Sequence, residues 1–156
     1  MHKRLALSVA LLGFMTAAPV MARSLPDGGV TSQEVGNILQ EKGYKAQVTT
    51  DKDGDPMVRS ASGGVDFLVL YYECKGKTRC PSIQFYAGFK KKGITPARIA
   101  EWNTKKRFGR AYLDDEFDPR VEMDVDVEHG ANTEAIANDI ERWVTVLAEF
   151  TKYIGW

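Results

Sequence analysis

VDFLVLYYECKGKTRCPSIQFYAGF, residues 65–89, decides the fold. From Val65 to Glu73 the chain is apolar on both faces, with Val65, Phe67, Val69 and Tyr71 on one side and Leu68, Leu70 and Tyr72 on the other. That pattern marks a strand in the middle of a sheet. Beyond the cysteines, Ile83, Phe85, Ala87 and Phe89 alternate with Ser82, Gln84 and Tyr86, as a strand with one buried face requires. The two strands form an expected hairpin that brings Cys74 and Cys80 to facing ends.

These are the only two cysteines of the chain. In an oxidising compartment such a close pair reads as one disulfide. Metal ligation and redox exchange are the alternatives, but the spacing is not C-x-x-C and no histidine is near. Lys75, Lys77 and Arg79 make the tip basic. A docking point for an anionic partner or lipid head group is one reading; a solvated hairpin end that discourages strand pairing is the favoured one.

Toward the N-terminus, Ser62-Gly63-Gly64 is a turn, preceded by strands at 57–60 and 45–50. Between those strands lies TTDKDGDPMV, residues 49–58, whose three aspartates are spaced like a calcium loop. An EF-hand needs glycine at loop position six and glutamate at twelve, and Pro56 and Ser62 stand there instead. Asp53-Gly54 is a hairpin signal, so the aspartates are expected to bind backbone amides. Further back, Thr31-Ser32-Gln33-Glu34 is a capping box that starts a helix with Val35, Ile38 and Leu39 inward and Gly43 at its end.

Toward the C-terminus, Thr95-Pro96 opens a second helix carrying Ile99 and Trp102 on one face. Strands are expected at 108–114 and 120–128, then a helix from Asn132 to Ile154 with a broad apolar stripe. The order is α-β-β-β-β-α-β-β-α. Tight turns between strands imply antiparallel pairing, so the expected class is α+β with the helices packed on the sheet.

The chain opens MHKRLALSVALLGFMTAAPVMARS: a basic start, an apolar run and small residues ending at Ala22. Residues 1–22 are read as a secretory signal peptide, with an uncleaved anchor as the alternative. Residues 23–30 are expected to be a flexible mature N-terminus and 31–156 a single domain. The expected location is periplasmic or secreted, without stable membrane insertion after cleavage. The signal holds two of the 21 basic side chains, Lys3 and Arg4, against 21 acidic ones, so the mature chain is slightly acidic. That balance predicts no bulk affinity for nucleic acid.

The run from Phe67 to Gly130, with Trp143 and the terminal Ile154-Gly155-Trp156, resembles the YbjN domain family. Its sharpest pieces are Phe85-Tyr86-Ala87-Gly88-Phe89, Trp102-Asn103 and the segment from Arg107 to Asp114. The resemblance implies a bacterial sensory transduction regulator with a fold like that of type III secretion chaperones. It brings no catalytic residues with it. The export signal and the cysteine pair depart from cytosolic members and point away from cytoplasmic transcriptional control.

Chemistry-bearing residues are sparse. His2 belongs to the signal, which leaves His129 alone. A multi-histidine zinc site is therefore excluded, and no G-x-S-x-G or Walker motif occurs. Glu122, Asp124, Asp126 and Glu128 share one strand face, which is ordinary for a half-solvated antiparallel sheet. The segment 108–112 is the richer candidate, because alternation would put Phe108, Arg110 and Tyr112 on one face, an aromatic and guanidinium mixture favoured at binding hot spots. The structural alternative has Phe108 and Tyr112 in the core and Arg110 paired with Glu122 or Asp124.

Phe108, Arg110, Tyr112 and Trp102 are the candidate partner-binding residues. The expected function is an exported, non-enzymatic, chaperone-like or regulatory protein acting through contacts with an unknown protein partner, as a monomer or a homodimer. No cofactor and no metal site is expected. The alternative is an enzymatic or metal-dependent envelope factor using its acidic residues and His129.

Overall fold

The computed structural model describes residues 21–129 and 131–156. Positions 1–20 of the expected signal segment lie outside the described residues.

The first helix, α1 (Ser32–Glu41), begins where its capping box lies. The Thr31 hydroxyl accepts from the Glu34 amide at 3.1 Å, and the Glu34 carboxylate accepts from the Thr31 amide at 2.8 Å. Two donors that the first turn would leave unpaired are thereby satisfied. Just before it, Val30–Thr31 forms a two-residue strand, β1.

Strands β2 (Ala46–Thr50) and β3 (Pro56–Ser62) follow as a hairpin around the aspartate turn. The Asp51 carboxylate accepts from the amides of Asp53 at 2.8 Å and Asp55 at 2.9 Å, while Gly54 supplies a φ of 81°. The aspartates thus hold backbone amides, as the hairpin reading expects.

Next come β4 (Val65–Tyr72), the short β5 (Arg79–Cys80) and β6 (Ser82–Gly88). After α2 (Pro96–Lys105), capped by Thr95, the chain forms β7 (Arg110–Leu113), β8 (Pro119–Asp126) and α3 (Thr133–Ile154), capped by Asn132. Six strands make one antiparallel sheet in the order β2-β3-β4-β6-β8-β7, which places β4 inside it. The class is α+β, with helices packed on the sheet.

One face of that sheet carries the core. Val58, Phe67, Val69, Phe85 and Val121 are buried there with Ile140, Trp143 and Leu147 of α3. Trp143 stacks on Phe85 at 5.8 Å between ring centroids and meets Phe67 edge-on at 6.0 Å. Aromatic pairs of this kind contribute about 0.5–1.5 kcal/mol beyond their burial.

The structure departs from the sequence expectations, or adds to them, at three points. The first is the pairing of β1 with β5 in a separate two-stranded sheet, which two-residue strands cannot announce by alternation. The second is the segment 23–30, which is tied down. Arg23, Leu25 and Gly28 donate backbone hydrogen bonds to Thr133 Oγ1, Ala131 O and Glu128 O at 3.0–3.1 Å, supplying partners for the approach to α3. The third concerns the strand expected from Phe108, which starts at Arg110 because Gly109, with φ of 79°, breaks the alternation.

Candidate protein-binding face

Side chains alternate across a strand, so every residue that fills the core leaves its neighbours on the opposite face. Neither the core aromatics nor α3 lie on that second face. Register places Arg59, Leu68, Tyr86, Glu122 and Arg110 in one row across β3, β4, β6, β8 and β7. A second row runs through Thr49, Met57, Leu70, Gln84 and Asp124. Met57 is 4% exposed yet stands apart from the main core cluster, so it anchors a small apolar patch of its own with Leu70 beside it.

Polar groups lock this face. Arg110 pairs with Glu122, whose side chain is only 5% exposed while that of Arg110 is 70% exposed. The guanidinium shields the carboxylate from above and keeps its own outer side to solvent. The Tyr72 hydroxyl donates to Gln84 Oε1 at 3.2 Å, and Gln84 Nε2 donates to Asp124 Oδ1 at 2.7 Å. Burial, reinforced by Glu122 and Asp124, pushes the Tyr72 phenol up from its ordinary value. Tyr112 is raised in the same direction by burial, then by Tyr86 and Glu122. Both phenols therefore remain hydrogen-bond donors through the neutral range.

Gly88 is opposite Arg120, and a Cβ there would collide with the guanidinium. Its absence leaves room for the Arg120 guanidinium, which pairs with Asp114. A depression of about 290 Å³ opens beside it, floored by Leu68 and Gly88 and rimmed by Arg59, Asp66, Tyr86 and Arg120. Tyr72 and Tyr112 stand at 44% and 37% exposure, so the face offers aromatic edges as well as guanidinium groups.

Of the four candidate partner-binding residues, Arg110 and Tyr112 are on this face together. Phe108 is not. The turn at Gly109 swings it toward α3, where Arg142 lies 4.8 Å from its ring centroid. Trp102 is 1% exposed, donates to Gly109 O at 2.7 Å and meets Phe150 edge-on, so it belongs to the core and presents no surface to a partner. Tyr86, Leu68 and Leu70 were missed as surface candidates. The two-sided apolar pattern of β4 was their signal, but a covered second face explains such a pattern equally well.

The other groups are taken up structurally. Arg79 donates to Glu34 at 2.8 Å and also to Gly29 O, while Lys77 reaches the Asp53 carbonyl at 2.6 Å and Asp55 at 3.3 Å. The basic tip is thus largely neutralised by its own fold. Cys74 and Cys80 are disulfide-bonded. Asp126 accepts from the Glu128 amide at 2.9 Å. His129 is 85% exposed, 3.6 Å from Glu128. Among the described residues, no group of three or more His, Cys, Asp or Glu is placed to hold a metal ion.

The YbjN family model, described as "Putative bacterial sensory transduction regulator", matches residues 27–156. The chain belongs to the YbjN family. That span takes in both sheets and the three helices of the described residues. No curated protein and no solved structure matches the chain. Likeness to secretion chaperones therefore rests on the family resemblance alone. No helix among the described residues is long and apolar enough to cross a membrane.

Proposed function

We propose that this YbjN-family protein is an exported, non-enzymatic regulator that works by holding a protein partner on the open face of its six-stranded sheet. The observation that carries the reading is the composition of that face. Tyr72, Tyr112 and Tyr86 lie among Arg59, Arg110 and Leu68, with no helix of the described residues over them. Tyrosine side chains on a rigid platform lose little conformational freedom on binding, and aromatic and arginine side chains dominate the energetics of protein interfaces.

Two further features support it. The amino-terminal segment has the basic, apolar and small-residue succession of an export signal, and the disulfide suits an oxidising compartment. The carboxylates of β8 are engaged with Arg110, Gln84 and the Glu128 amide, an arrangement that suits a scaffold better than a general acid or base.

A photo-crosslinking residue placed at Tyr86 or Tyr112 in the intact cell is expected to trap a discrete protein adduct. The same residue at Glu134, on the exposed start of α3, is expected to trap none. Equal labelling from all three positions, or no adduct from the sheet positions, would overturn the proposal.

A further inference from the structure

The two edges of the sheet are finished differently. On β7, Ala111 faces outward with its backbone amide and carbonyl, and both are taken by one side chain. Asn103 Oδ1 accepts from the Ala111 amide at 2.9 Å, and Asn103 Nδ2 donates to the Ala111 carbonyl at 3.0 Å. An amide side chain here occupies the place of a neighbouring strand, and α2, which carries it, closes that edge.

The β2 edge has no such cover among the described residues. The Asp51 amide donates to Asp55 O at 2.9 Å, so residues 51 and 55 form a hydrogen-bonded pair at the hairpin end. Antiparallel alternation then directs the backbone groups of Thr49 and Gln47 toward β3, and those of Thr50, Val48 and Ala46 outward. Gln40 Nε2 meets the Ala46 carbonyl at a long 3.5 Å. No hydrogen bond is made by the outward groups of Val48 and Thr50 among the described residues. Val48 itself is an apolar side chain 40% exposed at this edge.

We propose that β2 is where two copies of this chain pair, strand against strand across a two-fold axis at Val48. The register is dictated by the sequence around that residue. Antiparallel pairing centred on Val48 sets Ala46 against the second copy's Thr50, Gln47 against its Thr49, and Lys45 against its Asp51. The outward groups of positions 46, 48 and 50 would exchange about six backbone hydrogen bonds.

Charge supports the same register. Lys45 is exposed and forms no ion pair among the described residues, while Asp51 uses Oδ1 for the turn amides. Each Lys45 therefore meets one opposite charge, and the pair recurs on each side of the axis. On the side of α1 where Gly36 meets Val48, the exposed residues are the neutral amides Gln33, Asn37 and Gln40, and the exposed Glu41 is already paired with Arg23, so the approach of α1 to the second copy brings no unpaired like charges together. The product is one continuous twelve-stranded sheet whose two open faces lie side by side. This goes beyond the proposed partner binding and does not depend on it.

Analytical ultracentrifugation of the purified protein, as the cell processes it, tests the pairing. The wild type is expected to sediment with twice the mass of one chain. Val48→Lys and Val48→Glu, each placing like charges on the axis, are expected to weaken self-association at least about tenfold with unchanged circular dichroism. An equal mixture of the two is expected to recover the dimer. Should either Val48 variant fail to fold, Lys45→Glu, at an exposed side chain, is expected to weaken the dimer at low salt. A wild type monomeric up to about 100 μM, variants that dimerise as tightly as the wild type, or a mixture that stays monomeric would overturn the proposal.

Discussion

Arg79 and Glu34 form an ion pair at 2.8 Å that joins the disulfide loop to the cap of the first helix. Both side chains are 25% exposed, and the same Glu34 carboxylate also accepts from the Thr31 amide. Helix start, two-stranded sheet and disulfide loop are thus one mechanical unit. The pairing of Val30 with Cys80 and of Thr31 with Arg79 gives it a backbone seam.

That unit should be acid-sensitive. Burial pushes the Glu34 carboxyl up, but hydrogen bonds from Arg79 and Thr31 and the Arg79 charge outweigh it and hold the group below its ordinary 4.5. A carboxyl depressed in the folded state contributes fully above its unfolded value, and the contribution is lost as pH falls through the folded one. Glu34→Gln is therefore expected to cost about 1–2 kcal/mol at neutral pH and to flatten the loss of stability below about pH 4.5. Urea denaturation at pH 7 and pH 3 measures both, and an undiminished acid slope in the variant would contradict the assignment.

Reduction of the disulfide releases the other side of the same unit. The bridge closes a loop between residues six apart, and the chain-entropy model gives about 2 kcal/mol for so short a ring. Cys74→Ser is expected to lower stability by about that amount while leaving the six-stranded sheet intact, because β4 and β6 pair independently of the loop. Thermal unfolding with and without reductant, compared with the variant, checks the figure.

The helices and the long strands were legible because their signals are local. Thr31, Thr95 and Asn132 cap the helices they precede, and the alternation at 83–89 matches β6 with Phe89 just past its end. What was not legible depends on distant residues. Arg79 looked like part of a free basic tip because its partner is 45 positions away. The anchoring of residues 23–30 relies on groups at the start of α3, more than a hundred positions on. Strict alternation across 108–112 puts Phe108 on a face with Arg110, and the positive φ of Gly109 interrupts that alternation. The site residues fell on both sides of this divide: Arg110 and Tyr112 lie within a regular strand, and Phe108 lies outside it.

Gly109 is accordingly a position that tolerates no side chain. Its φ is 79°, and an added Cβ would overlap Val146 Cγ1 of α3 while touching Val121 Cγ2 at 3.5 Å. Gly109→Ala is expected to cost roughly 2–3 kcal/mol, combining the left-handed backbone penalty with overpacking. Replacing Gly76, which also has a positive φ but open space around it, should cost only the backbone part. Similar losses in the two variants, read from denaturation midpoints, would show that the approach of Gly109 to α3 is not tight.

Arg110 separates the structural and binding roles of the open face. Removing it leaves Glu122, 5% exposed, without its counter-charge, a situation that is unfavourable even beside solvent. Because the Arg110 side chain is itself 70% exposed, solvent screens the pair and the expected cost of Arg110→Ala is held to about 1–2 kcal/mol. The double variant Arg110→Ala, Glu122→Gln removes both charges and is expected to recover part of that stability. Partner capture should stay weak in the double variant if the guanidinium contacts the partner, since restored stability does not restore the contact. Recovery of capture along with stability would instead confine Arg110 to holding the sheet, and would shift the binding role to Tyr86 and Tyr112.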